Sequence, residues 1–408
     1  MKKTLMILGN FRDTRTISIL SEAKTVGLRT VLCVNNNLDL KTGYYPDAVY
    51  LTDWNDSEAL IAIARREGID GVVAICDPGV FGAAAVAEAL RLRGSSPKSI
   101  HDLMFKSAFR ELQKNSGVFC PGIISADNSD EALSKVQTLN FPIIVKPVLN
   151  SSSHGQSVLW DASAEQFTAA FDKASAESRN GRVCVEEYIE NPADHIIEME
   201  AFLMDGQFVF EGIRASYRSE KCILRPIYDV YPAGISEEQR SEAEAVTRTV
   251  LLASGASFGH FNVEGFFTKE GRFFIIEVNP RLVGCYNCEH IRLQSGVNMI
   301  RLLITAAVND TDYFTELKTF PRENRFILSH SLFANQSGIF KSLYIDKELE
   351  SRIIHCAFSE SSIWPYVQDI FHADFSLAKL AYEFDSRSQL EQARKKLDEL
   401  IYPVVASL

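Results

Sequence analysis

Residues 259–284 read GHFNVEGFFTKEGRFFIIEVNPRLVG, and the fold turns on how they are paired. Two apolar runs, HFNVEGFFT and RFFIIEVNP, flank Lys269-Glu270-Gly271, the pattern of two β-strands joined by a tight turn. A two-residue turn at Glu270-Gly271, with glycine at positive φ, sets Lys269 against Arg272. Counting outward, Glu264 then faces Glu277 and Asn262 faces Asn279; a three-residue loop would break that register. Side chains alternate along a strand, so Glu277, Asn279 and Arg281 share one side. The hairpin thus gathers two carboxylates and an amide, with a guanidinium at the rim. A solvated polar face accounts for Lys269 and Arg272 at the turn, but not for Glu264 and Glu277 among so many apolar neighbours. Opposed carboxylates repel, and buried ones are costly unless paired or bound to metal. Oxygen ligands of this kind suit Mg²⁺, which takes a few carboxylates and completes its shell with phosphate oxygens.

The chain has 408 residues and a mass of 45.6 kDa, room for two or three domains with real cores. A net charge of −11 argues against a nucleic-acid partner, which calls for a basic surface. The N-terminal MKKTLMILGNFRDTR has an apolar run too short for a signal peptide, and no stretch is long enough to span a bilayer. A soluble, cytoplasmic protein with no membrane partner is expected. Of eight cysteines, most sit in apolar runs such as VLCV and VAIC and read as buried thiols. Cys285 and Cys288 form one CxxC without a second ligand pair, weak grounds for zinc.

From the N-terminus, KTLMIL, RTVLCV, DAVYL and GVVAIC alternate with helices, one of them over 79–93, which predicts a small open α/β domain over 1–100. Its ligands would lie beyond the strand ends, at Gly9-Asn10 and Cys76-Asp77, although Asp77 reads equally well as a turn residue. A helix over 100–116 carries Lys106 and Arg110 one turn apart, by themselves a solvated basic pair. The strand FPIIVKPV then delivers Lys146 into a loop holding Ser151, Ser152, Ser153, His154 and Ser157, rich in donors for phosphate. RVCVEEYI places Glu186, Glu187 and Tyr188 at the end of another core strand. HIIEMEAFLMDGQFVFE is a hairpin turning at Asp205-Gly206, with Glu198 and Glu200 on one face. Helices are expected over 236–254, 297–308 and 388–401, the last closing a region of short strands.

Lysine, serine-rich loop, acidic strand end and the Glu264…IIEVNPRLVG hairpin occur in the order found in ATP-grasp enzymes. The chain resembles that superfamily over about residues 1–310, and its C-terminal region is similar to the closing domain of carboxylate–amine ligases, the bacterial L-amino acid (dipeptide) ligases in particular. The resemblance implies an α/β grasp fold: an N-terminal domain (1–100), an ATP-grasp domain (101–320) with a lid subdomain near 140–190, and an α+β closing domain (321–408). It implies ATP and two Mg²⁺ ions, with Mn²⁺ as a substitute. Lys106 and Lys146 would contact phosphates, the loop from Ser151 to Ser157 would cover them, and Glu186 would accept from the adenine amino group beside Glu187 and Tyr188. Glu264, Glu277 and Asn279 would hold metal; Arg281 would face the reacting carboxylate. Where these enzymes often carry an acid for the ribose, this chain has Ile196, with His195 beside it. The implied reaction phosphorylates a carboxylate and couples it to an amine, both small molecules, in a chain compatible with a homodimer. The alternatives are a bicarbonate-using carboxylase of the same fold and a nucleotide-binding regulator without catalysis.

Overall fold

Four strands, β1 (Thr4–Leu8), β2 (Arg29–Val34), β3 (Ala48–Leu51) and β4 (Gly71–Ala74), form an all-parallel sheet in the order β3-β2-β1-β4. All five residues of β1 are buried, as expected of a parallel strand covered on both faces. Helices Thr14–Thr25 and Ser57–Glu67 are N-capped by Asp13 and Asp56, and Gly68 ends the second at φ 58°. The helix expected to start at residue 79 starts at Asp77, with Pro78 in the first turn, where a missing N–H costs nothing. The computed structural model describes the chain except residues 1, 12, 36–44, 127, 149–154, 162, 179–180, 220–225, 285, 318–324, 359–365, 371–372, 374–375 and 408.

The helix expected over 100–116 is two helices, Pro97–Met104 and Lys106–Asn115, separated by Phe105 in extended conformation. Neither glycine nor proline marks the break. Phe105 stacks on His101 at 4.3 Å and meets Phe81 edge-on, so packing turns the chain here, and Lys106 becomes the first residue of a new helix.

Strands β5 (Ile123–Ala126), β6 (Ile143–Pro147), β7 (Ser157–Leu159) and β8 (Val183–Glu187) make a four-stranded sheet, in the region expected to be the lid, in the order β5-β8-β6-β7. One face packs Ile143, Val145, Val183 and Val185 on Phe167 and Phe171 of helix Ala164–Glu177. Alternation sends Lys146, Cys184 and Glu186 to the other face.

The largest sheet is built from β9 (His195–Met204), β10 (Gln207–Arg218), β11 (Pro226–Tyr231), β12 (Phe258–Phe267), β13 (Phe273–Asn279) and β14 (Phe326–Leu332). Beyond these come β15 (Gly338–Ile345), β16 (Ile353–Phe358), β17 (Tyr366–Val367), β18 (Ala378–Phe384) and β19 (Ile401–Ala406). Among the described residues the large sheet runs β13-β12-β9-β10-β11-β14-β18-β16, so strands after residue 320 complete it, while β17-β15-β19 form a small one. The β9–β10 hairpin turns at Asp205 (φ 51°) and Gly206 (φ 78°), as expected. Helix Glu237–Ala253 starts at a Ser236–Gln239 capping box, and helix Met299–Ala307 is capped by Asn298. The helix expected over 388–401 is instead two short helices, Arg387–Lys395 and Leu397–Leu400; Ile401 opens β19, whose alternating Ile-Tyr-Pro-Val-Val pairs with β15. Among the described residues no helix is long and apolar enough to cross a membrane.

The β12–β13 turn differs from the expectation. Thr268 N–H donates to Arg272 O, leaving a three-residue loop, Lys269 to Gly271, with Gly271 at φ 79°. By itself that loop would shift the register by one. A bulge at Glu264/Gly265 restores it, so Glu264 pairs with Glu277 and Asn262 with Asn279 after all. Glycine is required there: a Cβ on Gly265 would lie 2.5 Å from Phe274 O.

Candidate functional site: a carboxylate hairpin facing a lysine-bearing lid

Glu264 sits between two acids. β12 pairs with β9 as well as β13, which sets Glu264 against Glu198 on one side and Glu277 on the other. Burial, then Glu198, then Glu277 push its carboxyl up to about 8, although Arg218 and Arg281 pull the other way. The Arg218 guanidinium is 3.6 Å from Glu264 Oε2. Asn279 turns its amide nitrogen toward Glu277 Oε1 (3.3 Å) and Asn262 Oδ1 (3.5 Å), so its oxygen is the ligand atom left. Among the described residues no three His, Cys, Asp or Glu side chains are gathered in a ready-made cage. The candidate set is two carboxylates and an amide oxygen, and that donor chemistry fits an Mg²⁺ ion sharing its shell with phosphate.

The shift on Glu264 has a direction that can be tested. An unfolded glutamate titrates near 4.5, so the folded chain holds an extra proton from there to about 8. Glu264 therefore contributes stability at low pH that is lost as pH rises through that window. Without metal, Glu264→Gln is expected to gain stability over the parent at pH 9 but not at pH 5, measured by thermal unfolding in chelator. An equal effect at both pH values would remove the repulsion from the account.

The lysines gather around Glu186. Lys146 Nζ lies 2.5 Å from Glu186 Oε2, both buried. Arg110 completes the cluster, donating from Nε and Nη2 to Glu186 and from Nη1 and Nη2 to the carbonyls of Ile275 and Ile276. Burial raises the Glu186 carboxyl, but Arg110 and Lys146 outweigh it and hold it down to about 2. Arg110 is thus no solvated surface cation: it is 1% exposed and ties the lid to β13. Lys106 belongs to the same cluster. Burial lowers its ammonium below the ordinary lysine range, Glu277 opposes that, and Lys146 adds to it. A lysine opening a helix whose N-cap, Phe105, makes no side-chain cap bond is poorly placed for the helix itself and well placed for an anion.

Other expected residues fare differently. Ser151, Ser152, Ser153, His154 and Cys285 lie outside the described residues. Ser157 pairs with Val145 and so takes the face opposite Lys146. Glu187 does not offer its carboxylate to a ligand: it accepts from Gly122 N, Asn140 N and Asn140 Nδ2, fixing the hinge that ends at Tyr188. His195 pairs with Asp194 at 2.8 Å and rests on Tyr217, at the base of the lid connection. Arg281 follows β13 rather than lying in it, since the strand ends at Asn279. Its partner is Asp77, at 2.8 Å from Nε. Cys288 is buried among apolar residues, and burial pushes its thiol up to about 12, which leaves it inert.

Arg214, fully buried on β10, was not singled out in sequence. It binds Glu198, Glu200 (3.1 Å) and Asp229 (3.8 Å), and Asp229 in turn meets Lys379 of β18 at 3.3 Å. Asn262 Nδ2 also donates to Glu200 Oε1 at 2.7 Å. A polar band therefore crosses the sheet beside the hairpin acids and fixes Glu198 and Glu200, since a charge buried this deeply must be paired. An alternation of acids on β9 and a lone arginine on β10 were the only signals in the sequence.

Residues 111–293 match the model of the ATP-grasp domain. An uncharacterised protein, y4rH, of Sinorhizobium fredii is 27% identical over 300 residues, 72% of this chain and 60% of the relative. A formate-dependent phosphoribosylglycinamide formyltransferase of a Nostoc species is 37% identical over 158 residues, 37% of each chain. The chain thus spans less than two thirds of the length of either relative. Among solved structures, an L-amino acid ligase from Bacillus licheniformis superposes with a TM-score of 0.81 over 100% of this chain and 99% of its own, at 18% identity, a likeness of fold.

Proposed function

We propose that the chain, residues 111–293 of which match the ATP-grasp domain, is an ATP-dependent ligase that phosphorylates a carboxylate and couples the acyl phosphate to an amine, releasing ADP and phosphate. The observation that supports this reading is the concentration of opposed charges: Glu277 and Lys146 both act on the Lys106 ammonium, Lys146 pairs with Glu186, and Arg281 acts on Glu264. Transferring a phosphoryl group to a carboxylate brings two anions together, so the protein's part is positioning and charge neutralisation. Lys106 and Lys146 hold the triphosphate; Glu186, with both oxygens already engaged by Arg110 and Lys146, acts by fixing Lys146. Glu264, Glu277 and Asn279 would hold two Mg²⁺ ions, which would supply positive charge to the phosphate oxygens. Arg281 binds the substrate carboxylate. The ligase from Bacillus licheniformis, matched over the whole chain, favours an L-amino acid as that carboxylate, with a dipeptide as product. The reading implies a cytoplasmic enzyme.

The deciding experiment measures ADP release with pairs of amino acids, and with bicarbonate, followed by mass spectrometry of the product. Release that depends on two amino acids supports the ligase. Release with bicarbonate alone moves the chain to the carboxylases, and nucleotide binding without turnover on any pair makes it a regulator.

Lys146→Ala tests the lid side. Removing a buried cation from Glu186 and from the phosphates is expected to raise the Kd for ATP at least about tenfold. Calorimetry showing unchanged nucleotide affinity would refute the assignment.

A further inference from the structure

A cavity of about 70 Å³ lies between β4, helix Asp77–Leu90 and β12, and Arg281 is one of the residues that line it. Most of its wall is apolar: Ala74 of β4, Val80, Ala84 and Ala87 of the helix, and Leu303 of helix Met299–Ala307. Asp77, Val80, Ala84 and Ala87 follow at steps of three, four and three, so they share one face of their helix. That face begins at the aspartate that holds the Arg281 guanidinium and continues along the cavity, about 10 Å from Val80 to Ala87. Alanines here leave space that larger side chains would close, and an unfilled void costs stability. Among the described residues that line it, Arg281 alone carries a charge, since burial holds the His260 imidazole down to about 4. One cation beside an apolar slot matches an anion with an apolar tail.

We propose that this cavity receives the side chain of the carboxylate substrate, so that the enzyme takes acids with short aliphatic side chains and rejects aromatic ones. The proposal rests on the reading of Arg281 as the anchor of that carboxylate and adds the group attached to it. An engineered apolar void of about 150 Å³ admits benzene. The cavity here has less than half that volume, enough for a short aliphatic chain and too little for a ring.

The test holds the amine constant. Hydroxylamine traps any acyl phosphate as a hydroxamate, so alanine, valine, leucine and phenylalanine can be compared as carboxylates alone. The comparison is made in the parent chain, in Ala84→Val, which narrows the cavity, and in Val80→Ala, which widens it. A methylene in an apolar pocket changes kcat/KM about ten- to two-hundredfold. Phenylalanine is therefore expected to fall below valine in the parent by at least about tenfold. The leucine-to-alanine ratio of kcat/KM should drop about tenfold in Ala84→Val and rise by a similar factor in Val80→Ala, with KM for ATP unchanged in both. A general fault of packing lowers all four acids alike and leaves the ratio where it was. The same ratio in all three chains overturns the proposal, as does a parent that takes phenylalanine as readily as valine. A parent that binds MgADP but forms no hydroxamate from any acid overturns the ligase reading itself, and this proposal with it.

Discussion

Glu277→Gln is expected to fold normally and to lose ATP-dependent turnover by at least about a hundredfold, the size of effect that follows loss of one preorganised charge contact. The substitution keeps the side chain's shape and its capacity to accept from Asn279 at 3.3 Å. It removes one of the charges that raise Glu264. Stability should therefore hold or rise in metal-free buffer, since the pair Glu264–Glu277 is repulsive when both are ionised. An acid kept for structure behaves in the opposite way: its loss lowers the melting temperature and leaves chemistry alone. The second readout is the stabilisation that Mg²⁺ with ADP confers on the parent, which should shrink in the variant by mass action. Turnover near the parental rate in folded Glu277→Gln protein would remove Glu277 from the metal set.

That the acids could be paired from sequence owes something to compensation. The register that opposes Glu264 and Glu277 came from a two-residue turn, whereas the loop has three residues and a bulge at Gly265 returns the strands to step. Period-two alternation and the density of Phe, Ile and Val were enough to find both strands and the buried face. Where the bulge lies depends on the space beside Phe273 and Phe274, which is a property of packing. The same holds for the break at Phe105: its cause is stacking on His101 and Phe81, and neither glycine nor proline announces it.

Non-local ion pairs were less legible still. Arg110 reaches backbone carbonyls 165 and 166 residues away, and Arg281 meets Asp77 across 204. A helical arginine one turn from a lysine looks like a solvated pair until the sheet that covers it is known. Arg214 carries no motif, yet it holds Glu198, a repulsive neighbour of Glu264 on the adjoining strand. Local pattern finds residues that touch the ligand because chemistry constrains their type. It misses the residues that hold them, because many arrangements of buried charge can do that work.

Arg281→Lys is expected to separate binding from chemistry. Arg281 leaves β13 at Pro280, and its Nε donates to Asp77 Oδ1 at 2.8 Å while Nη1 reaches Leu282 O at 3.3 Å. These two contacts hold the guanidinium plane at the rim, close enough to Glu264 to lower its proton affinity. Asp77 lies in the first turn of its helix, beside the parallel sheet, so that region would position the proposed substrate-binding group. A guanidinium so held can bind a carboxylate through two parallel N–H bonds and keep that geometry as charge builds on the phosphorylated oxygen. Lysine retains the charge but offers no fork, and it lacks the Nε by which Asp77 sets the plane. MgADP affinity in the variant should stay within about twofold of the parent, whereas ligation should fall by about two to three orders of magnitude, as on removing a transition-state contact. Asp77→Asn, which leaves Arg281 intact but unanchored, should fall between the two, with a rise in KM for the carboxylate and little change in KM for ATP. Near-normal ligation in Arg281→Lys would make the Asp77 pair a clamp between domains, and the carboxylate would then have to be held by another cation at the rim, with Arg218 the first to test.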